Sequence, residues 1–167
     1  MTRHVRSIAG VIGLACLVSS PAGGAQIQLT LPTVTAVPGG TVVVPIESSP
    51  APAGLGILSV EFRMVFTPGV IQSSLSRPDG WIQSWGTAFS FGSDALIAVA
   101  AGGFPATTSL GTRLNTLELT VSPSAPSGTD MPLTFTHVLC NEGEPAVVVV
   151  PGVLHVRSNA AVRDVDG

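Results

Sequence analysis

Trp81 and Trp85 stand four residues apart in the run Asp79-Gly80-Trp81-Ile82-Gln83-Ser84-Trp85-Gly86. Exposed indoles would stack on sugar rings, because their faces are flat and apolar while the ring N–H stays available. On a strand, this spacing puts both rings on one face, as a sugar platform or as core filling. Glu61 and Glu118 are the acids that facing strands could bring together as a glycoside-cleaving pair, but acids on strands are usually a solvated face. His137 and His155 have no cysteine or acid at zinc-ligand spacing. His137 shares the phase of Leu133 and Phe135, which makes it a core or strand-end residue. The chain has no G-x-S-x-G elbow to carry an acyl-transfer serine. These side chains suit binding better than catalysis, and no catalytic residue is assigned.

The elements that must position them are strands. In Leu58-Ser59-Val60-Glu61-Phe62-Arg63-Met64-Val65-Phe66, the residues Leu58, Val60, Phe62, Met64 and Phe66 share one face, and Ser59, Glu61 and Arg63 share the other. A period of two with large apolar groups on one side predicts a half-buried strand. Thr67-Pro68-Gly69 should end it, since proline removes a ladder donor and glycine permits the turn. Val42, Val44 and Ile46 repeat the pattern, as do Leu117, Leu119 and Val121. Leu114 is out of phase with the last three, which predicts a bulge near Asn115. Leu133, Phe135 and Leu139 form a further strand, and Val147–Val150 and Val153–Val156 the closing ones, around Pro151-Gly152. Ala95–Ala101 is apolar on both faces but small. Eight to ten short strands without a helix of note predict an all-β, antiparallel β-sandwich with jelly-roll or Greek-key connections.

Residues 1–25 read as a secretory signal peptide: Arg3, His4 and Arg6 precede an apolar stretch from Ile8 to Val18, and small residues follow Pro21. Gly23 and Ala25 fit the small-x-small rule, so cleavage is placed after Ala25. The apolar stretch is too short to span a membrane, which takes roughly twenty residues, and the mature chain is not expected to insert in one. Gly13-Leu14-Ala15-Cys16 invites a lipoprotein reading at Cys16, but leucine should stand where Gly13 does and apolar residues continue to Val18. Cys140 is then the one cysteine left, so packing without an intramolecular disulfide must hold the domain. There is no lysine, and losing Arg3 and Arg6 with the leader leaves five arginines against all ten acids. That balance gives no footprint for nucleic acid.

In order along the chain, several segments resemble those of cohesin domains. Val37-Pro38-Gly39-Gly40-Thr41-Val42-Val43-Val44-Pro45-Ile46 resembles their opening PG-[D/G]-TVTVPV strand pair. Gly56 to Phe66 with Thr67-Pro68-Gly69-Val70-Ile71 resembles the E-F-x-L-x-Y-[D/T]-P-x-V-L segment, with Phe66 where tyrosine is usual and Thr67 where aspartate is. Leu117–Thr120 with Pro123-Ser124-Ala125-Pro126-Ser127-Gly128, then Pro132-Leu133-Thr134-Phe135, then Pro151-Gly152-Val153-Leu154-His155-Val156 follow in the family's order. The resemblance covers nearly all of residues 26–157 and implies a nine-stranded jelly-roll sandwich that docks the helices of a dockerin module on one face.

By that resemblance, small apolar residues form the centre of the docking face and polar ones its rim. Leu96, Ala98 and Ala100 would be the centre, with Glu61 and Arg63 at the rim; the alternative puts Leu96 in the core. Residues 158–167 read as a linker, and Asp164-Val165-Asp166-Gly167 resembles the opening of a dockerin calcium loop. Asp164 and Asp166 supply only half of such a loop, so no cofactor is expected, and Ca²⁺ would bind only if the chain continued into a complete one. The function implied is a secreted, non-catalytic module for protein–protein assembly, with a carbohydrate-binding module acting through Trp81 and Trp85, or a purely structural domain, as the alternatives.

Overall fold

The computed structural model describes residues 24–52, 54–92, 96–103 and 111–159. Residues 1–23 of the leader, with Cys16, and Asp164 and Asp166 lie outside the described residues, as do the side chains of Trp81, Leu96 and Ala98. The strands are β1 (Gln26–Thr30), β2 (Val34–Ala36), β3 (Thr41–Ser49), β4 (Ser59–Val65), β5 (Ile71–Arg77), β6 (Gly86–Phe91), β7 (Leu96–Gly102), β8 (Arg113–Val121), β9 (Asp130–Leu133), β10 (His137–Cys140), β11 (Ala146–Val150) and β12 (Gly152–Val156). They form a five-stranded sheet ordered β11-β1-β3-β8-β5, a four-stranded sheet ordered β10-β4-β7-β6, and a three-stranded sheet ordered β2-β12-β9. The inward residues of all three sheets join in one core: Ile27 and Leu29, Val44 and Ile46, Val60, Phe62 and Met64, Leu117 and Leu119, and Leu154 and Val156. Period-two patterning builds this arrangement, because each strand has one apolar face that only another sheet can cover.

The predicted bulge is present. β3 and β8 pair in register from Thr41 with Thr120 to Ile46 with Asn115, and the next pair is Glu47 with Arg113. Leu114 is the extra residue, so it, Asn115 and Thr116 are all buried in succession. Burying Asn115 needs hydrogen bonds: its Nδ2 donates to Ser76 Oγ at 2.9 Å, and its Oδ1 accepts from Thr116 N at 2.9 Å.

Three expectations are corrected. First, the sandwich is not wholly antiparallel: β1 pairs parallel to β11, and β2 parallel to β12. The β1–β2 and β11–β12 segments run side by side and change sheets together, at Leu31-Pro32-Thr33 and at Pro151, where prolines interrupt the ladder. Gly152 belongs to that crossing, since a Cβ there would overlap the Pro32 carbonyl. Second, Leu58 is 48 % exposed instead of joining the core. The alternation begins at Ser59, because Asn141 Oδ1 accepts from both Leu58 N (2.7 Å) and Ser59 N (3.1 Å) and holds the backbone in a turn there. Third, Leu133, Phe135 and Leu139 do not share one strand. β9 pairs with β12 and β10 with β4, so the chain changes sheets between them. Leu133 is in the core, whereas His137 and Leu139 sit opposite the exposed Arg63 and Glu61 and share their outer face.

His155, Asp130 and Arg157 form an exposed ion cluster on the three-stranded sheet. His155 Nδ1 donates to Asp130 Oδ1 at 2.7 Å, and Arg157 donates to the same oxygen at 2.8 Å. The His155 bond first, and the Arg157 bond second, hold the Asp130 carboxyl below its ordinary value. A carboxyl lowered in the folded state stabilises the fold above its unfolded value of about 4, and that contribution is lost as pH falls through the lowered value. Asp130→Asn should therefore flatten the fall of the melting temperature below about pH 4, measured by circular dichroism. An unchanged acid-side slope would show that the cluster carries no linkage.

Candidate functional site

The tryptophan run is not a strand. Gly80–Ile82 is a single 3-10 turn, held against β8 so closely that a Cβ at Gly80 would overlap the Arg113 carbonyl. Gly80 also has φ +61°, which only glycine adopts at little cost. Asp79 anchors the turn by accepting a 2.7 Å bond from Thr116 Oγ1. Ile82 enters the core, and Trp85 is 7 % exposed with Gly103 directly beneath its indole. A stacking platform needs exposed ring faces, so Trp85 is a core residue and the paired platform does not exist. Strand spacing misled here because two glycines, Gly80 and Gly103, permit a tight turn and a close indole contact that periodicity does not register.

Glu61 and Glu118 are on different sheets and face away from one another. Each lies between core-facing neighbours, Glu61 between Val60 and Phe62 and Glu118 between Leu117 and Leu119. Glu118 is ion-paired with Arg77 at 2.5 Å, and Glu61 is hydrogen-bonded to His137 Nε2 at 2.5 Å. No carboxylate pair for glycoside cleavage forms between them. Cys140 is buried and its thiol is pushed up to about 11 by desolvation, so it is not a nucleophile at neutral pH. Among the described residues, no three histidine, cysteine, aspartate or glutamate side chains gather to hold a metal ion.

What the strands do assemble is the outer face of the four-stranded sheet. Register places Glu61 between Leu139 on β10 and Ala100 on β7, and Arg63 between His137 and Ala98. Ala88 and Ser90 on β6 pair with Ala100 and Ala98 and extend the same face. Val99 and Ala101 are buried while Ala100, Ala88, Ser90, Glu61 and Arg63 are exposed. Glu61, Arg63 and Ala100 thus share one outer face. Leu96 and Ala98 occupy the alternate positions of β7 opposite Val65 and Arg63.

Hollows open on this face among the described residues. One, of about 550 Å³, lies between Glu61, Ala88, Ala100, Gly102, Gly86 and Glu142; the other, of about 200 Å³, lies between Glu61, Arg63, Ala88, Ser90 and Ala100. Ala100 and Ala88 border both. Sequence reasoning missed His137, Leu139 and Glu142 as members of this surface. His137 was read as a core or strand-end residue, and it does stand at the start of β10; its outward phase was missed because the break between β9 and β10, where the phase reverses, was not visible in the apolar pattern.

No protein-family model matches the chain, and no curated protein matches it. The fold is that of cohesin modules in solved structures. A cohesin in the Coh-OlpA–Doc918 complex of Clostridium thermocellum superposes with a TM-score of 0.64 at 20 % identity, over 78 % of this chain and 99 % of that one. The sixth cohesin of scaffoldin B of Acetivibrio cellulolyticus, in complex with the Cel5 dockerin, gives 0.62 at 17 % identity, over 80 % and 100 %. A non-cellulosomal cohesin of the archaeon Archaeoglobus fulgidus gives 0.59 at 13 % identity, over 84 % and 97 %.

Proposed function

We propose that this chain, which has the cohesin fold, is a non-catalytic docking module that binds a dockerin-type protein on the outer face of β10-β4-β7-β6. The observation that carries this reading is that face itself: exposed Ala88 and Ala100 at the centre, with Glu61, Arg63 and His137 around them. A flat apolar centre rimmed by polar groups is the anatomy of a protein interface, and small residues there let a partner's backbone come close to the sheet. The similar structures crystallised with dockerins support the reading by their shared fold. The sugar-binding alternative loses its paired platform with Trp85 in the core.

The test is isothermal titration against a panel of dockerins, alongside retention on cellulose, chitin and xylan. Saturable binding to at least one dockerin, with no polysaccharide retention, is the expected result. Retention on polysaccharide alone would overturn the function and leave the fold intact.

The reading also places the module outside the cell. Its support is the basic and apolar pattern of residues 1–25. Protein recovered from the medium should begin at Gln26 by N-terminal sequencing; an acylated Cys16 at the first position would replace secretion with lipid anchoring.

A further inference from the structure

We infer that the free edge of β11 is a self-association site, and that its occupant is the β11 strand of a second copy of this chain, paired antiparallel about a two-fold axis at Val148.

β11 lies at one end of the five-stranded sheet and, among the described residues, pairs with β1 alone. Ala146 N donates to Ala25 O and Val150 O accepts from Leu31 N, both at 3.0 Å. Peptide groups alternate in direction along a strand, so those of Val147 and Val149 point away from β1, towards the open side. Such a row of donors and acceptors is a template for another strand, and edges are normally blunted by charges, prolines or bulges. β5, at the other end of the same sheet, has a register shift between Ile71 and Ser73 and carries Arg77. β11 reads Ala-Val-Val-Val-Val and has none of these devices within it. It is also apolar on both sides of the sheet. Val148 and Val150 are 40 % and 37 % exposed on the outer face, and Val147 and Val149 are only half-buried on the inner one. One more strand alongside would cover both rows.

The sequence around β11 favours a second copy as that strand. With the axis at Val148, Val147 faces the partner's Val149 and Val149 faces the partner's Val147, and each pair exchanges both N–H···O bonds. Val148 meets the partner's Val148 as a close β-branched pair. A charge near such an axis would face its own copy, and none is present on β11 or on Gln26, Gln28 and Thr30 beside it on β1. Sliding the strands by two residues either way would set Val149 against Pro145 or Val147 against Pro151, neither of which has an N–H to donate. The flanking prolines therefore leave one register in which both outward residues pair. Since β11 has a single free side, this pairing saturates at two copies. Pairing β11 with β5 of another copy would instead propagate without limit, and it would meet the β5 register shift and Arg77. The inference is independent of the docking function, and β4, β6 and β7 take no part in the pairing, so the dimer would carry two docking faces.

The experiment is sedimentation equilibrium of the purified chain from micromolar to near-millimolar concentration, after thermal melts establish that each variant is folded. Wild type should show a reversible monomer–dimer equilibrium. Val148→Lys and Val148→Glu change an exposed side chain, and each should weaken the dimer at least about tenfold, because like charges then meet on the axis. Equal amounts of the two variants, mixed, should restore dimerisation, because opposite charges then face one another. Val43→Lys, exposed on the same sheet away from β11, should associate as wild type does. A wild-type chain that stays monomeric throughout, or a dimer that both Val148 variants leave unchanged, would overturn the inference. Association that runs beyond two copies, or variants that stay monomeric when mixed, would overturn the two-fold pairing at Val148.

Discussion

Phe62→Ala should lower the unfolding free energy by about 3–5 kcal/mol, the range for removing a buried aromatic ring from a packed core. Phe62 is fully buried at the centre of β4, and its ring packs on Phe135 with centroids 5.1 Å apart and planes at 59°. Phe135 lies in the link where the chain leaves β9 for β10, so the pair joins the four-stranded sheet to that crossing. Truncation would leave a cavity bounded by strands whose backbone ladders cannot close in, and for that reason relaxation recovers little. The neighbouring Glu61→Ala should cost no more than about 1 kcal/mol, since its contact with His137 is a solvent-exposed side-chain hydrogen bond. Urea denaturation of the two variants measures both. The reverse order of midpoints would put β4 in the opposite phase and move Glu61 and Arg63 off the proposed face.

That phase was legible in the sequence because β4 alternates without a break from Ser59 to Val65, and one face of it is entirely large and apolar. β3 and β8 were legible for the same reason, and the out-of-phase Leu114 disclosed its own bulge. What the sequence concealed were the places where the chain changes sheets. Between β9 and β10 the apolar residues Leu133, Phe135 and Leu139 keep a period of two, yet the backbone turns at Thr134–Thr136 and Thr136 N donates to Arg63 O at 2.9 Å to begin a new ladder. Apolar spacing records side-chain phase along a strand but carries no information on which sheet the strand joins. The parallel pairings of β1 with β11 and β2 with β12 were hidden likewise, because they depend on partners more than a hundred residues away.

The candidate site divides along the same line. Glu61, Arg63 and Ala100 could be placed on one face from the sequence because they belong to strands with clear phase or small-residue composition. Glu142 was not, because its place on the face is set by the Asn141 clamp, a set of hydrogen bonds between residues some eighty positions apart. The tryptophans were the converse case. Their residue type suggested a ligand, while the 3-10 turn at Gly80–Ile82 takes Trp85 into the core.

The second large effect concerns the docking face, and it also provides the most direct test of the account. Ala100 borders both hollows, and a long side chain there would stand up from the centre of a surface that must be flat to receive a partner. Disruption at the centre of an interface costs far more than at its rim. Val43 is the matched control: it is 52 % exposed on the outer face of the five-stranded sheet, opposite Glu118 on β8, and an arginine there leaves the proposed face untouched. The measurement is calorimetric titration of wild type, Ala100→Arg and Val43→Arg with the same dockerin, after thermal melts establish that all three are folded. The account predicts that Ala100→Arg abolishes binding and Val43→Arg binds as wild type; loss of binding in Val43→Arg with Ala100→Arg unaffected would contradict it and place the docking surface on the opposite sheet.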